Sequence, residues 1–143
     1  RNLLRVAGAK VRVEGIERID PQANYVFASN HASYMDTPLI VGYVPAEFRF
    51  LAKKSLFKLP FIGNHLTLAG HIPVEREDPR AAVKTMSLAA ETIRGRNVSL
   101  IVFPEGGRSM DGSLKTFKEG AALIAIKAGV PVVPLALHGT HHL

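Results

Sequence analysis

Cysteine is absent from the 143 residues. That excludes a thiol nucleophile, a disulfide framework and a cysteine-based zinc site, and it leaves the redox compartment open. Long apolar runs are missing too. A membrane-spanning helix needs about 20 consecutive apolar residues. The best stretch, Leu123 to Leu137, is interrupted by Lys127, Gly129, Pro131 and Pro134. No signal peptide opens the chain, which starts at Arg1. The expectation is a piece excised from a longer, membrane-associated protein. No linker, repeat or low-complexity tract divides it, so residues 1–143 read as a single domain.

What is present suits a packed fold. The chain is 47% hydrophobic and 21% charged, and one of this length buries roughly 70% of its unfolded surface. The formal charge of +6 fits a phosphate-bearing substrate or an anionic membrane surface. Its basic residues are scattered, without interleaved aromatics, so nucleic acid is not an expected partner.

Short β-rich runs recur as KVRVEG, YVFAS, FRFLAK, HIPVE, VSLIVF and VVPLAL. Helical patterns lie between them. The clearest is DPRAAVKTMSLAAETIRG, with Asp78 as cap, Pro79 in the first turn and Gly95 as the stop. Val83, Met86, Ala90 and Ile93 would form its buried stripe. Further helices are expected over Pro38–Tyr43 and Glu119–Lys127, the latter followed by Gly129. Alternation of this kind predicts an α/β layered domain with helices flanking a mainly parallel central sheet, a mixed sheet being the alternative.

The polar residues fall at the ends of these runs. YVFAS leads into Asn30 and His31, HIPVE into Arg76, and VSLIVF into PEGGRS with Glu105 and Arg108. In open parallel sheets the carboxyl edge is where ligands bind. His31 and Asp36 cannot share one helical face, because five residues turn a helix by about 140°. They meet only if His31 lies in the loop and Asp36 at the helix start, with Ser33 or Thr37 as cap. Asp36 would then accept from His31 Nδ1, leaving Nε2 to take a proton from a hydroxyl. The competing reading is that Asp36 merely caps the helix and His31 is a polar loop residue.

In FPEGGRS, Gly106 and Gly107 allow backbone N–H groups to approach a phosphate, and Arg108 can bind one through two N–H groups. A tight turn carrying a Glu–Arg surface pair is the alternative. Arg76, Lys115 and Lys118 could add positive charge, or be ordinary solvated side chains. His65 and His71 stand in apolar context and read as structural. His138, His141 and His142 lack a neighbouring carboxylate and do not make a convincing metal site. Ser55–Ile72 is apolar, with Lys53, Lys54 and Lys58 on its near side. It is either a lipid-contacting surface or core.

Four blocks of the sequence together resemble the glycerolipid acyltransferases, of the 1-acyl-sn-glycerol-3-phosphate acyltransferase (PlsC) type. They are NHASYMD, KSLFKLPFIGNHLTLAGHIPVER, FPEGGRS followed by FKEGAALIAIKAG, and VPVVPLAL. The resemblance spans nearly the whole chain. It implies that His31 is the general base and that Asp36 orients it. It also implies an acceptor-phosphate site drawn from Arg76, Glu105, Gly106, Gly107, Arg108, Ser109 and Lys118. Gly107 departs from the pattern, which has Thr or Ser there.

The implied reaction moves a fatty acyl group from acyl-CoA or acyl carrier protein to the sn-2 hydroxyl of lysophosphatidic acid, giving phosphatidic acid. No metal or cofactor beyond that co-substrate is implied. The implied location is the cytoplasmic face of a membrane, the inner membrane in a bacterium. Other acceptors remain open, among them glycerol 3-phosphate, another lysophospholipid or a lyso-aminolipid. So do a hydrolase using the same His–Asp pair on water and a non-catalytic anionic-lipid binding module.

Overall fold

The computed structural model describes residues 8, 10–75 and 78–142. Among these residues five strands form one sheet: β1 (Val26–Ser29), β2 (Phe48–Lys53), β3 (Ile72–Val74), β4 (Ser99–Val102) and β5 (Val132–Leu135). Their order is β3-β2-β4-β1-β5. Every pairing is parallel, so all five carboxyl ends share one edge. Both outer strands carry a proline, Pro73 in β3 and Pro134 in β5. An edge position tolerates the missing N–H.

KVRVEG does not join the sheet. Its Arg12 and Glu14 pair with each other in solvent, at 2.7 Å, and Val11–Gly15 line a pocket with Val133–Leu137 without pairing to the sheet.

Among the described residues four α-helices connect the strands: α1 (Asp36–Tyr43), α2 (Ile62–Leu68), α3 (Pro79–Arg96) and α4 (Gly120–Ala128). Strand residues alternate between the two faces of the sheet. Val26, Leu100, Val102 and Ile72 pack against Ala89 and Ile93 of α3 and Ala121, Ile124 and Ala125 of α4. Phe27, Ile101 and Phe50 pack with Ile40 of α1 on the other face. The result is an α/β layered domain with a wholly parallel sheet.

Helix α3 starts as its sequence predicts: Asp78 accepts from Arg80 N at 2.9 Å, and Pro79 occupies the first turn. It stops two residues later than expected, at Asn97, whose φ of 53° is left-handed. Asparagine tolerates that conformation, and Gly95 stays helical. The buried stripe is also rotated. Val83 is exposed, while Ala89 is fully buried beside Ala90 and Ile93. Helix α4 ends as predicted, at Gly129 with φ 71°.

Candidate active site

The loop after β1 sits between two others, because β1 lies between β4 and β5 in the sheet. Asn30 fastens it to the segment after β5: its Oδ1 accepts from Leu137 N at 2.7 Å, and its Nδ2 donates to Leu137 O at 2.9 Å. His31 is fastened to the loop after β4. Its N–H donates to Glu105 Oε1 at 2.7 Å, and its carbonyl accepts from Ser109 N at 2.8 Å. Backbone atoms therefore hold His31 on both sides.

Helix α1 begins at Asp36, two residues before the expected start, and neither Ser33 nor Thr37 caps it through a side chain. Asp36 instead turns its carboxylate back into the loop. Oδ2 accepts from Ala32 N at 2.8 Å and Ser33 N at 2.9 Å, and it lies 2.7 Å from His31 Nδ1. A carboxylate can only accept, so the imidazole proton sits on Nδ1. Asp36 is 0% exposed and the His31 side chain 17%. Burial disfavours the charged carboxylate, but hydrogen bonds from His31, Ser33 and Ala32, with the Thr140 hydroxyl also acting on the carboxyl, outweigh it and hold the Asp36 pKa below its ordinary value.

The His31 ring stacks on Phe103, with centroids 4.0 Å apart and planes 18° from parallel. Its Nε2 makes no hydrogen bond among the described residues. An imidazole fixed at Nδ1 and bare at Nε2 can accept a proton from a hydroxyl brought to it. Sequence reasoning missed Phe103 and Asn30 as site residues. Their only signal was position, directly after a strand and next to a motif.

Gly106 takes the left-handed φ of 73°, which lets the loop after β4 turn. The backbone N–H groups of Gly107 and Arg108 have no hydrogen-bond partner among the described residues. The Arg108 guanidinium lies 3.5 Å from the centre of the Tyr34 ring, a cation–π contact. Lys118 approaches Gly106. Lys115 Nζ donates to Arg108 O at 2.6 Å. Two expected phosphate ligands point elsewhere. Glu105 is buried, and its second oxygen accepts from Lys115 N at 2.9 Å, so its carboxylate ties the His31 loop to the Lys115 backbone. Ser109 is buried and donates its hydroxyl to Asp111. Arg76 lies outside the described residues.

A cleft of about 140 Å³ adjoins this loop, lined by Leu51, Val74, Met86, Phe103, Gly106 and Ile124 among others. His71 is structural: its Nδ1 accepts from Phe50 N at 3.1 Å. Burial, then the nearby Arg49 and His65 charges, lowers its pKa and keeps it neutral.

The Acyltransferase family model matches residues 10–138. A 1-acyl-sn-glycerol-3-phosphate acyltransferase of Limnanthes douglasii is 39% identical over 136 residues, covering 95% of this chain and 48% of that protein. One from Borreliella burgdorferi is 34% identical over 140 residues, covering 97% of this chain and 55% of that protein. The crystal structure of the 1-acyl-sn-glycerophosphate acyltransferase PlsC from Thermotoga maritima superposes with a TM-score of 0.76. That match has 40% identity and covers 91% of this chain and 51% of that one. The chain thus spans about half the length of these relatives.

Proposed function

The chain belongs to the acyltransferase family, and from that membership we propose that it is the catalytic domain of a 1-acyl-sn-glycerol-3-phosphate acyltransferase. Lysophosphatidic acid is the acceptor and a fatty acyl thioester, on CoA or acyl carrier protein, is the donor. The observation that carries the reading is the His31–Asp36 pair, bonded through Nδ1 with Nε2 bare, beside a loop rich in anion donors.

In this mechanism His31 Nε2 removes the proton from the sn-2 hydroxyl. The oxygen attacks the thioester carbonyl, forming the C–O bond of a tetrahedral intermediate. Collapse breaks the C–S bond, and the imidazolium returns its proton to the departing thiolate. No covalent acyl-enzyme is involved. General-base help contributes roughly 10²–10⁴ in rate, and positioning of the acceptor contributes further. The acceptor phosphate binds Arg108, the N–H groups of Gly107 and Arg108, and Lys118, with Arg76 as a further ligand. Glu105 and Ser109 are assigned to holding the loop. A carboxylate facing two amide donors, as Glu105 does, is not a phosphate ligand. The apolar cleft beside the loop takes acyl chain.

Membrane association fits the stretch that follows β2. No described helix is long and apolar enough to cross a membrane. Yet Leu56, Leu59, Phe61 and Ile62 are exposed, Phe61 at 88%, alongside exposed Lys53, Lys54 and Lys58. Apolar side chains next to ammonium groups suit the headgroup region of an anionic membrane, which we assign to the cytoplasmic face.

The test is transfer from acyl-CoA and from acyl carrier protein to a panel of acceptors. It includes lysophosphatidic acid, glycerol 3-phosphate and no acceptor, with His31→Ala and Asp36→Asn in parallel. Turnover should require lysophosphatidic acid and vanish in both variants while the fold persists by circular dichroism. Near-normal turnover in His31→Ala would sink the mechanism. Fatty acid release without acceptor would point to a hydrolase.

A further inference from the structure

One buried side chain reaches the candidate site from outside every sequence block. Thr140 follows β5 and opens a short 3-10 turn, Thr140–His142. It is 2% exposed, and its Oγ1 is buried with no hydrogen-bond partner among the described residues. Asp36 Oδ1 is buried and unpartnered in the same way, although Oδ2 takes three donors. Both oxygens lie on segments that the Asn30–Leu137 clamp ties together, the loop after β1 and the stretch after β5, and the Thr140 hydroxyl acts on the Asp36 carboxyl. A buried polar group left unpaired is costly, and one O–H···O bond between them would relieve both.

We propose that Thr140 is a positioning residue for the His31–Asp36 pair, its hydroxyl donating to Asp36 Oδ1 and fixing the carboxylate plane so that Oδ2 faces His31 Nδ1. This role rests on the reading of His31 as the base. A carboxylate held at one oxygen can still rock about its Cβ–Cγ bond. A second donor at the other oxygen stops that motion and steadies the carboxylate as the imidazolium forms. Within the pair Asp36 faces the His31 imidazole, and Glu105 accepts the His31 backbone N–H from the loop after β4.

The experiment follows the Asp36 carboxyl by carbon-13 NMR titration in the wild-type chain and in Thr140→Val, Thr140→Ala and Thr140→Ser. Valine keeps the shape without the hydroxyl, alanine guards against a misfolded valine variant, and serine restores the donor. The Asp36 midpoint should rise in the valine and alanine variants and return in the serine variant. Alongside, kcat for transfer to lysophosphatidic acid should fall roughly tenfold in the first two, as loss of a hydrogen bond to a charged group implies. The acceptor KM should not change. An Asp36 midpoint that stays put in both Thr140→Val and Thr140→Ala overturns the inference and leaves the His31 reading standing. Full turnover in His31→Ala overturns the base, and this role with it, whatever the titration gives.

Discussion

At the scale of the residue, the candidate base is held by groups that do no chemistry. Glu105 and Ser109 grip the His31 backbone from the loop after β4, and Glu105 also takes the Lys115 N–H. Glu105→Gln is isosteric but turns an NH₂ toward one of two amide donors. It should cost about 1–3 kcal/mol, seen as a lower midpoint in urea unfolding, and reduce acyl transfer. An unchanged midpoint would mean that the brace is dispensable. The sequence made His31 and Asp36 legible, because their spacing permits one geometry and the downstream blocks agree with it. It could not make Glu105 legible. A glutamate two glycines from an arginine reads equally as a phosphate loop or a surface pair, and which way the carboxylate turns depends on an amide 74 residues away.

At the scale of the element, close approach decides what the local pattern leaves open. Helix α2 packs on the 3-10 turn Lys54–Lys58 through Gly63. A Cβ there would fall 2.1 Å from Phe57 O, inside any van der Waals contact with backbone. Gly63→Ala should therefore push α2 off its neighbour and destabilise by roughly 1–3 kcal/mol. Thermal unfolding measures this, and a Tm equal to wild type would contradict the packing. Phe61, just before α2, has φ 62° and ψ −55°, and Ile62 N donates to Pro60 O at 2.7 Å. This is a γ-turn of the rare strained hand. The strain accompanies the exposure of the Phe61 ring. Neither feature has a sequence signal, since KLPFIGN is as compatible with a buried helix start as with an exposed one.

At the scale of the whole molecule, stability should depend on pH in two steps. His71 accepts the Phe50 N–H while neutral, and its pKa is lowered on folding from 6.5. Its contribution is therefore complete above about 6.5, shrinks as pH falls below that value, and levels off beneath its folded pKa. Asp36 is lowered from 3.8, so its contribution is present above that value and is lost as pH falls through its folded pKa. Tm measured against pH should show both declines. His71→Asn keeps an acceptor near Nδ1 without a titrating group and should flatten the first decline alone; a first decline that persists would assign it elsewhere. The alternation of strands and helices, the caps at Asp78 and Gly129, and the placing of His31, Asp36 and Arg108 after strand ends are legible in the order of residues alone. These follow from local backbone preferences and the periodicity of apolar residues, which act within a few residues of chain. The strand order, the exclusion of KVRVEG, the inward turn of Glu105 and the clamp that brings the segment after β5 to the His31 loop emerge only in three dimensions. Each depends on hydrogen bonds and burial between segments far apart in sequence, where no local preference acts.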